Sequence, residues 1–343
     1  MMDKGLKIAV IGAGAIGGTT AAFLTKAGYD VELVCKYQSI TDMANGGLKI
    51  VGVRGEHEVS VKSVKEIEDL SGVKDYIFVA TKAYDMPNSC QKALAFANQN
   101  TLFLSMQNGI SVDAMAQVVG KERTVGCVVG YGATMLAPGV LDMTSFGDFI
   151  IGMMADLAKN NEAKLTELKL ILDHMVDTVV SDDIISALYS KLIVNSCITS
   201  LGAISGLYLG EMLKSVKARK IFLNIMYEAM DVATAMGIKV PPYGGKLDYY
   251  ALTKTDVLSK IKAHIMIYLV GLKYKKLKSS SLQSLQRGKK TEIDFFNGYI
   301  TSKASELGVQ AKVNEAITNM VKEIENGTRK ISVKNFDDER LNL

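Results

Sequence analysis

The sequence predicts an α/β protein, with an N-terminal doubly wound parallel sheet followed by an all-α C-terminal domain. Three observations carry that expectation. Short β-branched runs alternate with helix-period segments through the first part of the chain. A glycine-rich turn, "VIGAGAIGG", joins the first run to the first helix. Beyond about residue 180, apolar residues recur at spacings of three and four and the strand-like alternation vanishes.

In chain order the strand runs are "KIAVIG" (7–12), "VELVC" (31–35), "YIFVAT" (76–81), "TLFLSM" (101–106) and "RTVGCVVGYGA" (123–133). Between the first two lies "TTAAFLTKAG", a helix closed by Gly28. In "LDMTSFGDFIIGMM" (141–154) the spacing tightens to strand, turn, strand, which predicts an antiparallel edge on the sheet. From "SDDIISALYSKLIVNSC" (181–197) to about residue 326 the pattern is helical, punctuated by Pro241, Pro242, Gly244 and Gly245. The expected domains are therefore residues 1–180, residues 181–326 and a polar, loosely held tail at 327–343.

The bulk composition narrows the function classes. With 48% hydrophobic and 22% charged residues, 343 residues suffice for two domains that each bury a core. The net charge of +4 is spread out except at "KYKKLK" (273–278) and "RGKK" (287–290). No aromatic residues interleave with those lysines as a nucleic-acid surface requires, so they read as solvated helix faces. Cys35, Cys90, Cys127 and Cys197 lack C-x-x-C spacing and sit in apolar runs, as reduced core thiols of a cytoplasmic protein do. His57, His174 and His264 lie far from them and from each other, and no metal is expected. The apolar run "HIMIYLVGL" (264–272) is about half of a membrane span, and the glycine-broken N-terminus reads as strand and turn rather than signal peptide.

Gly12-x-Gly14-x-x-Gly17 directly follows a strand and directly precedes a helix, with a second strand at 31–35. In that βαβ setting the motif is a dinucleotide fingerprint of the Rossmann type. Gly12 permits the tight turn, Gly14 lets backbone approach a pyrophosphate, and Gly17 lets helix and strand pack closely. The tip of the second strand selects the cofactor, an acid there suiting NAD and a cation suiting the 2′-phosphate of NADP. Here the tip is Cys35-Lys36 and the one acid, Glu32, is mid-strand. NADP is expected, with Glu32 facing the ribose as the alternative if the register differs by a few residues. "ATKAYD" (80–85) and "SMQNG" (105–109) follow the third and fourth strand runs, at the sheet edge where ligands bind.

These segments, together with "KLIVN" (191–195), "SSSLQSLQRGKKTEIDFFNGYI" (279–300) and Asn314, resemble the ketopantoate reductase (2-dehydropantoate 2-reductase) family over nearly the whole chain to about residue 325. The resemblance implies a Rossmann domain joined to a helical domain like the C-terminal one of 6-phosphogluconate dehydrogenase. It also implies reduction of a 2-oxo acid by NADPH. At matching positions it implies Lys191 and Glu292 as catalytic residues, with Asn108, Asn195, Thr199 and Ser280 toward substrate. Gly12, Ala13, Gly14, Ala15, Ile16, Gly17, Lys36, Thr81, Lys82, Asn108, Ala133 and Glu292 would meet the cofactor. Lys191 would protonate the carbonyl oxygen as hydride adds to its carbon.

Elementary chemistry supports that role. Partial burial against Leu192, Ile193 and Val194 makes an ammonium more willing to give up its proton, and a nearby carboxylate restores part of the balance. In a helix, Lys191, Asn195 and Thr199 drift only about 40° per step and are expected on one face. The chain departs from the family pattern where an Asn-Pro pair is common (Thr199, Ser200), where a substrate-facing Asn is frequent (Leu209) and where "LQD" becomes "LQS" (Ser284). Those changes leave the lysine untouched and bear on the substrate. Ketopantoate is the leading substrate, with (R)-pantoate as product on the route to coenzyme A. A paralogue acting on another 2-oxo acid is the alternative, and a non-catalytic NADP(H) sensor is a more distant one. The apolar helices of the second half suggest a homodimer.

Overall fold

The β-branched runs of the first half pair side by side as parallel strands. The computed structural model describes residues 5–154, 157 and 161–341, and the chain divides into two compact units, Met1–Leu188 and Tyr189–Leu343. The first contains β1 (Lys7–Ile11), α1 (Ala15–Lys26), β2 (Asp30–Val34), α2 (Gln38–Gly47), β3 (Leu48–Gly52), β4 (His57–Val59), β5 (Ser63–Val64), β6 (Tyr76–Val79), α3 (Met86–Ala93), β7 (Leu102–Ser105), α4 (Val112–Val119), β8 (Thr124–Val129), β9 (Gly132–Ala137), β10 (Val140–Ser145), β11 (Phe149–Gly152), α5 (Glu162–Leu172) and β12 (Thr178–Val180).

The main sheet runs in the order β12-β11-β8-β7-β6-β1-β2-β5. It is parallel from β8 to β5. The chain builds outward from β1 in one direction through β2 and β5, and in the other through β6, β7 and β8. The sheet therefore reverses its winding between β1 and β6, where doubly wound sheets hold ligands. Every residue of β6, β7 and β8 is buried, because helices cover both faces.

The edge departs from expectation in one respect. β11 does pair antiparallel with β8, but β10 leaves the main sheet. It joins a second, four-stranded sheet in the order β4-β3-β10-β9, antiparallel to β9 and parallel to β3. The cause is a glycine crossing: a Cβ on Gly147 would stand 2.3 Å from the Gly130 carbonyl oxygen, so the chain passes close to itself between the two sheets.

A buried ion pair lies beneath β2. The side chains of Glu32 and Lys74 are each 1% exposed and bonded to each other. Glu32 also accepts from Lys62 at 2.6 Å, from the Ser71 amide at 3.0 Å and from the Ser71 hydroxyl at 2.9 Å. Burial alone would raise its carboxyl pKa, but the bonds from Lys62, Lys74 and Ser71 outweigh it and hold the group at about 2.

The second half is helical: α6 (Ile184–Ser205), α7 (Leu209–Met212), α8 (Val216–Ala235), α9 (Tyr249–Leu252), α10 (Val257–Lys273), α11 (Ser280–Gln286), α12 (Asn297–Leu307) and α13 (Lys312–Glu325). The boundary between the units falls inside the sequence of α6. Among the described residues α6 alone is long and apolar enough to cross a membrane, and most of it is buried inside the fold, as a core helix is.

The tail is not loosely held. Ser332 N and Asn335 Nδ2 both donate to the Ile204 carbonyl, at 3.0 and 2.8 Å, and so cap the last turn of α6. Phe336 and Leu341 are buried, and Arg329 and Arg340 tie Asp338 to Glu323 on α13. The polar composition that suggested a free tail is spent on these internal pairs. Residues 342–343 lie outside the described residues.

Replacing Glu32 by Gln leaves the Lys74 ammonium buried without its counter-charge and should cost about 3–5 kcal/mol in urea unfolding. In the unaltered protein the contribution of Glu32, whose folded pKa is depressed, is complete above its ordinary pKa near 4.5. It is lost as pH falls through about 2. A Glu32→Gln loss below about 1 kcal/mol would contradict this reading.

Candidate active site

At the carboxyl end of β1 the backbone makes a turn that only glycine fits. Gly12 has φ +109°, and a Cβ there would stand 2.9 Å from the carbonyl carbon and oxygen of Ala80, at the end of β6. A Cβ on Gly17, in the first turn of α1, would stand 2.0 Å from the Gly12 carbonyl oxygen. Gly14 is different: a Cβ there meets nothing within 4 Å. It is the N-cap of α1, with no side-chain cap and no acid in the first turn of the helix. The positive end of α1 is thus reached by a backbone with nothing over it, the arrangement that receives phosphate. Ala13 and Ile16 are part-buried against the sheet core, as is Ala133 on β9. Ala15 begins the helix.

The neighbouring strand ends complete this edge. Cys35, just past β2, is buried, whereas Lys36 and Tyr37 are exposed. Glu32 is committed to Lys74 inside the protein, so the strand tip carries a cation and no acid. Past β6, Thr81 is part-buried and its hydroxyl oxygen has no partner, and Lys82 is exposed. Past β7, Gln107 is buried, donating to the carbonyls of Val79 (2.8 Å) and Thr81 (3.3 Å) and accepting from Ser105 (2.7 Å). That amide locks the "TKA" loop to the "QNG" loop and leaves Asn108 part-exposed beside it. Gln107 was missed by the sequence reading; its only signal was adjacency to Asn108.

In the second unit, α6 is buried over most of its surface and shows a part-exposed stripe at Lys191, Val194, Asn195 and Ile198. The spacing of three and four places these residues on one face. The residues before the lysine are pinned. The Tyr189 hydroxyl donates to Ala229 O at 2.8 Å, Ser190 Oγ donates to Pro241 O at 2.8 Å, and the Tyr249 hydroxyl bonds the Ser190 carbonyl. Thr199 lies off the stripe, against expectation. Eight residues of helical drift turn it inward, where it is buried and donates to Asn195 O at 2.7 Å. Ser200, Leu209 and Ser284 are buried too.

Glu292 is buried and begins a single 3₁₀ turn. Its predecessor Thr291 is fixed through both its amide (2.7 Å) and its hydroxyl (2.6 Å) to Glu325 of α13. Ser280 is part-exposed and follows Ser279, the N-cap of α11. Ser279 packs where a Cβ on Gly202 of α6 would stand 2.6 Å from its hydroxyl. Asn297 and Asn314, which belong to the motifs that carry the family resemblance, bond each other at 3.0 Å in the core. Glu228 of α8 holds the start of α13 through the Val313 and Asn314 amides, at 2.8 and 2.9 Å. These are framing residues.

Comparison with known proteins matches residues 8–156 to the family described as Ketopantoate reductase PanE/ApbA and residues 183–325 to Ketopantoate reductase PanE/ApbA C terminal. The chain belongs to the ketopantoate reductase family. A 2-dehydropantoate 2-reductase of Pyrococcus abyssi is 29% identical over 320 residues, covering 92% of this chain and 97% of its own. Among solved structures, a PanE/ApbA family ketopantoate reductase from Ralstonia eutropha superposes with a TM-score of 0.79 at 24% identity, covering 95% of this chain and all of its own. A dimeric ketopantoate reductase from Staphylococcus aureus does so with a TM-score of 0.72 at 18%, covering 94% and 100%.

As a ketopantoate reductase the chain is an NADP-dependent oxidoreductase, and its residues fit that cofactor. The cradle at Gly14 would hold a pyrophosphate, the exposed Lys36 a 2′-phosphate, and the unpartnered Thr81 hydroxyl stands on the same sheet edge. Two alanine variants separate folding from binding. Gly14→Ala should melt with the unaltered protein yet bind NADPH at least about tenfold more weakly in calorimetry, ~1.4 kcal/mol. Gly17→Ala should lose both stability and binding. Unchanged affinity in Gly14→Ala would refute the cradle.

Proposed function

We propose that this protein reduces 2-dehydropantoate (ketopantoate) to (R)-pantoate on the route to pantothenate and coenzyme A, with Lys191 as general acid. The reading rests chiefly on the part-exposed stripe of α6, which presents an amine and an amide together on a helix otherwise buried. Bound NADPH supplies a hydride to the carbonyl carbon. As that carbon becomes tetrahedral, negative charge builds on oxygen, and the Lys191 ammonium delivers a proton to it, giving the 2-hydroxy acid. The amine left behind regains its proton from solvent. Asn195, one turn on, orients the carbonyl and the lysine; Glu292 receives the substrate hydroxyl or the ammonium. Ser280 holds the substrate carboxylate, and Asn108 and Lys82 border the nicotinamide and its ribose. The reaction belongs to the cytoplasm, in keeping with four buried cysteines that form no disulfide, and the protein works as a homodimer through its helical half.

A second reading, a paralogue acting on a different 2-oxo acid, is favoured by one set of observations. Thr199, Ser200, Leu209 and Ser284 replace the residues usual in the family, and all four are buried. A substrate that relies on amide donors from those positions would lose matched hydrogen bonds here, which can shift preference by orders of magnitude.

A panel of 2-oxo acids with NADPH decides between the readings. Fastest loss of nicotinamide absorbance with ketopantoate supports the first, a faster analogue supports the second, and no turnover with any of them contradicts both. Lys191→Ala should lower kcat by about 10²-fold or more while NADPH affinity stays within a few-fold. Equal loss of both would make the lysine structural.

A further inference from the structure

The carboxyl edge of the main sheet carries an aromatic ring that the first unit leaves outside its core. Phe146 is 70% exposed, more than any other aromatic residue among the described ones, whereas Phe149, three positions on, is wholly buried. The strand register fixes its place. β8 ends at Val129, and β11 begins opposite it at Phe149 and runs the other way, so residues 146–148 lie past the same edge as the ends of β1, β6 and β7. The backbone there is held firmly. Gly130 N donates to Asp148 O at 2.8 Å, and Gly132 N donates to Ser145 Oγ at 2.9 Å. At the Gly147 crossing a Cβ would meet the Gly130 carbonyl oxygen. The neighbouring rings of Tyr131 and Phe149 pack edge to face with centres 5.6 Å apart. Phe146 is therefore an apolar group presented on a rigid support.

The direction of the cofactor along this edge decides what the ring meets. The exposed Lys36 past β2 suits the 2′-phosphate and the bare Gly14 past β1 suits the pyrophosphate, so the adenosine end belongs on the β2 side. Continuing in the same sense through β6 and β7 leads to the nicotinamide, and β8 and β11 come next in the sheet. Phe146 thus stands toward the reacting end and away from the adenosine. The carbon that takes the hydride in a 2-oxo acid bears an oxygen, a carboxylate and a side chain. Oxygen and carboxylate call for hydrogen-bond donors, which a phenyl ring lacks. The side chain is the one group that gains from apolar cover. We propose that Phe146 is a specificity-determining residue that packs on the side chain of the 2-oxo acid and favours one branched at the carbon next to the carbonyl. The inference rests on the reductase reading above and deepens it. Ketopantoate and 3-methyl-2-oxobutanoate have such a branched carbon, and pyruvate and 2-oxobutanoate do not. Methyl groups on a branched carbon cover more of a flat ring than an unbranched chain does, and the preference scales with the apolar area they remove from water.

Steady-state kinetics of the full chain with NADPH and these four acids test the assignment. Phe146→Ala should melt with the unaltered protein, because the ring lies outside the core, and should bind NADPH with unchanged affinity. For the two branched acids its kcat/KM should fall at least about tenfold, the scale of a lost apolar contact. The fall should come through KM with kcat nearly kept, because the contact is made equally before and during hydride transfer. For the two unbranched acids kcat/KM should stay within about threefold. Phe146→Leu, which keeps apolar cover, should recover most of the loss. An equal fall for branched and unbranched acids, or no fall, overturns the role of Phe146 while the reductase reading stands. A matching loss of NADPH affinity overturns it as well, by putting the ring on the cofactor. If the unaltered chain turns over none of the acids, the reductase reading fails and this inference fails with it.

Discussion

The absent side chain at Gly17 is the constraint on which the first unit depends. With the Gly12 carbonyl oxygen 2.0 Å from where a Cβ would stand, α1 can begin flush against the turn that leaves β1 only because nothing projects there. The helix then runs back over the sheet, where Gly18 admits Leu141 of the second sheet and the Thr19 hydroxyl meets that of Tyr131 at 3.2 Å. One close approach thereby fixes the helix on both sheets. It also leaves the positive end of α1 open at the point where the winding of the sheet reverses.

The buried pair beneath β2 acts on the same edge from the other side. An acid in the strand next to a dinucleotide turn would ordinarily be a candidate for ribose hydroxyls. Glu32 is withdrawn from that role by Lys74, Lys62 and Ser71. Its carboxylate is worth more to the fold as a paired charge than as a ligand group, since an ionised carboxylate without partners is costly to bury. What remains at the strand tip is the exposed Lys36, a cation where a second phosphate would lie.

Much of this was legible in the sequence because local chemistry dictated it. The glycines declare themselves by spacing, β6, β7 and β8 by uninterrupted apolar residues, and α6 by its period. The stripe of Lys191 and Asn195 followed from the same arithmetic. It was less secure at Thr199, where small helical drift over two turns exchanged a shared face for a buried one. The rest depended on contacts distant in sequence. Nothing near Gln107 announces that its amide ties two loops together, and nothing near Thr291 points to Glu325. The polar composition of residues 327–341 concealed a strap that caps α6, because its charged residues satisfy one another. The departure of β10 into a second sheet turned on a glycine crossing that no strand pattern encodes.

We propose that the acid-free strand tip, with Lys36 beside an open glycine cradle, selects the phosphorylated cofactor. The most direct measurement is the ratio of dissociation constants for NADH and NADPH, by calorimetry, in the unaltered protein and in Lys36→Asp. The unaltered protein should bind NADPH more tightly, and the variant should swing at least about tenfold toward NADH. An unchanged ratio, or equal affinity for the two cofactors from the outset, would contradict it.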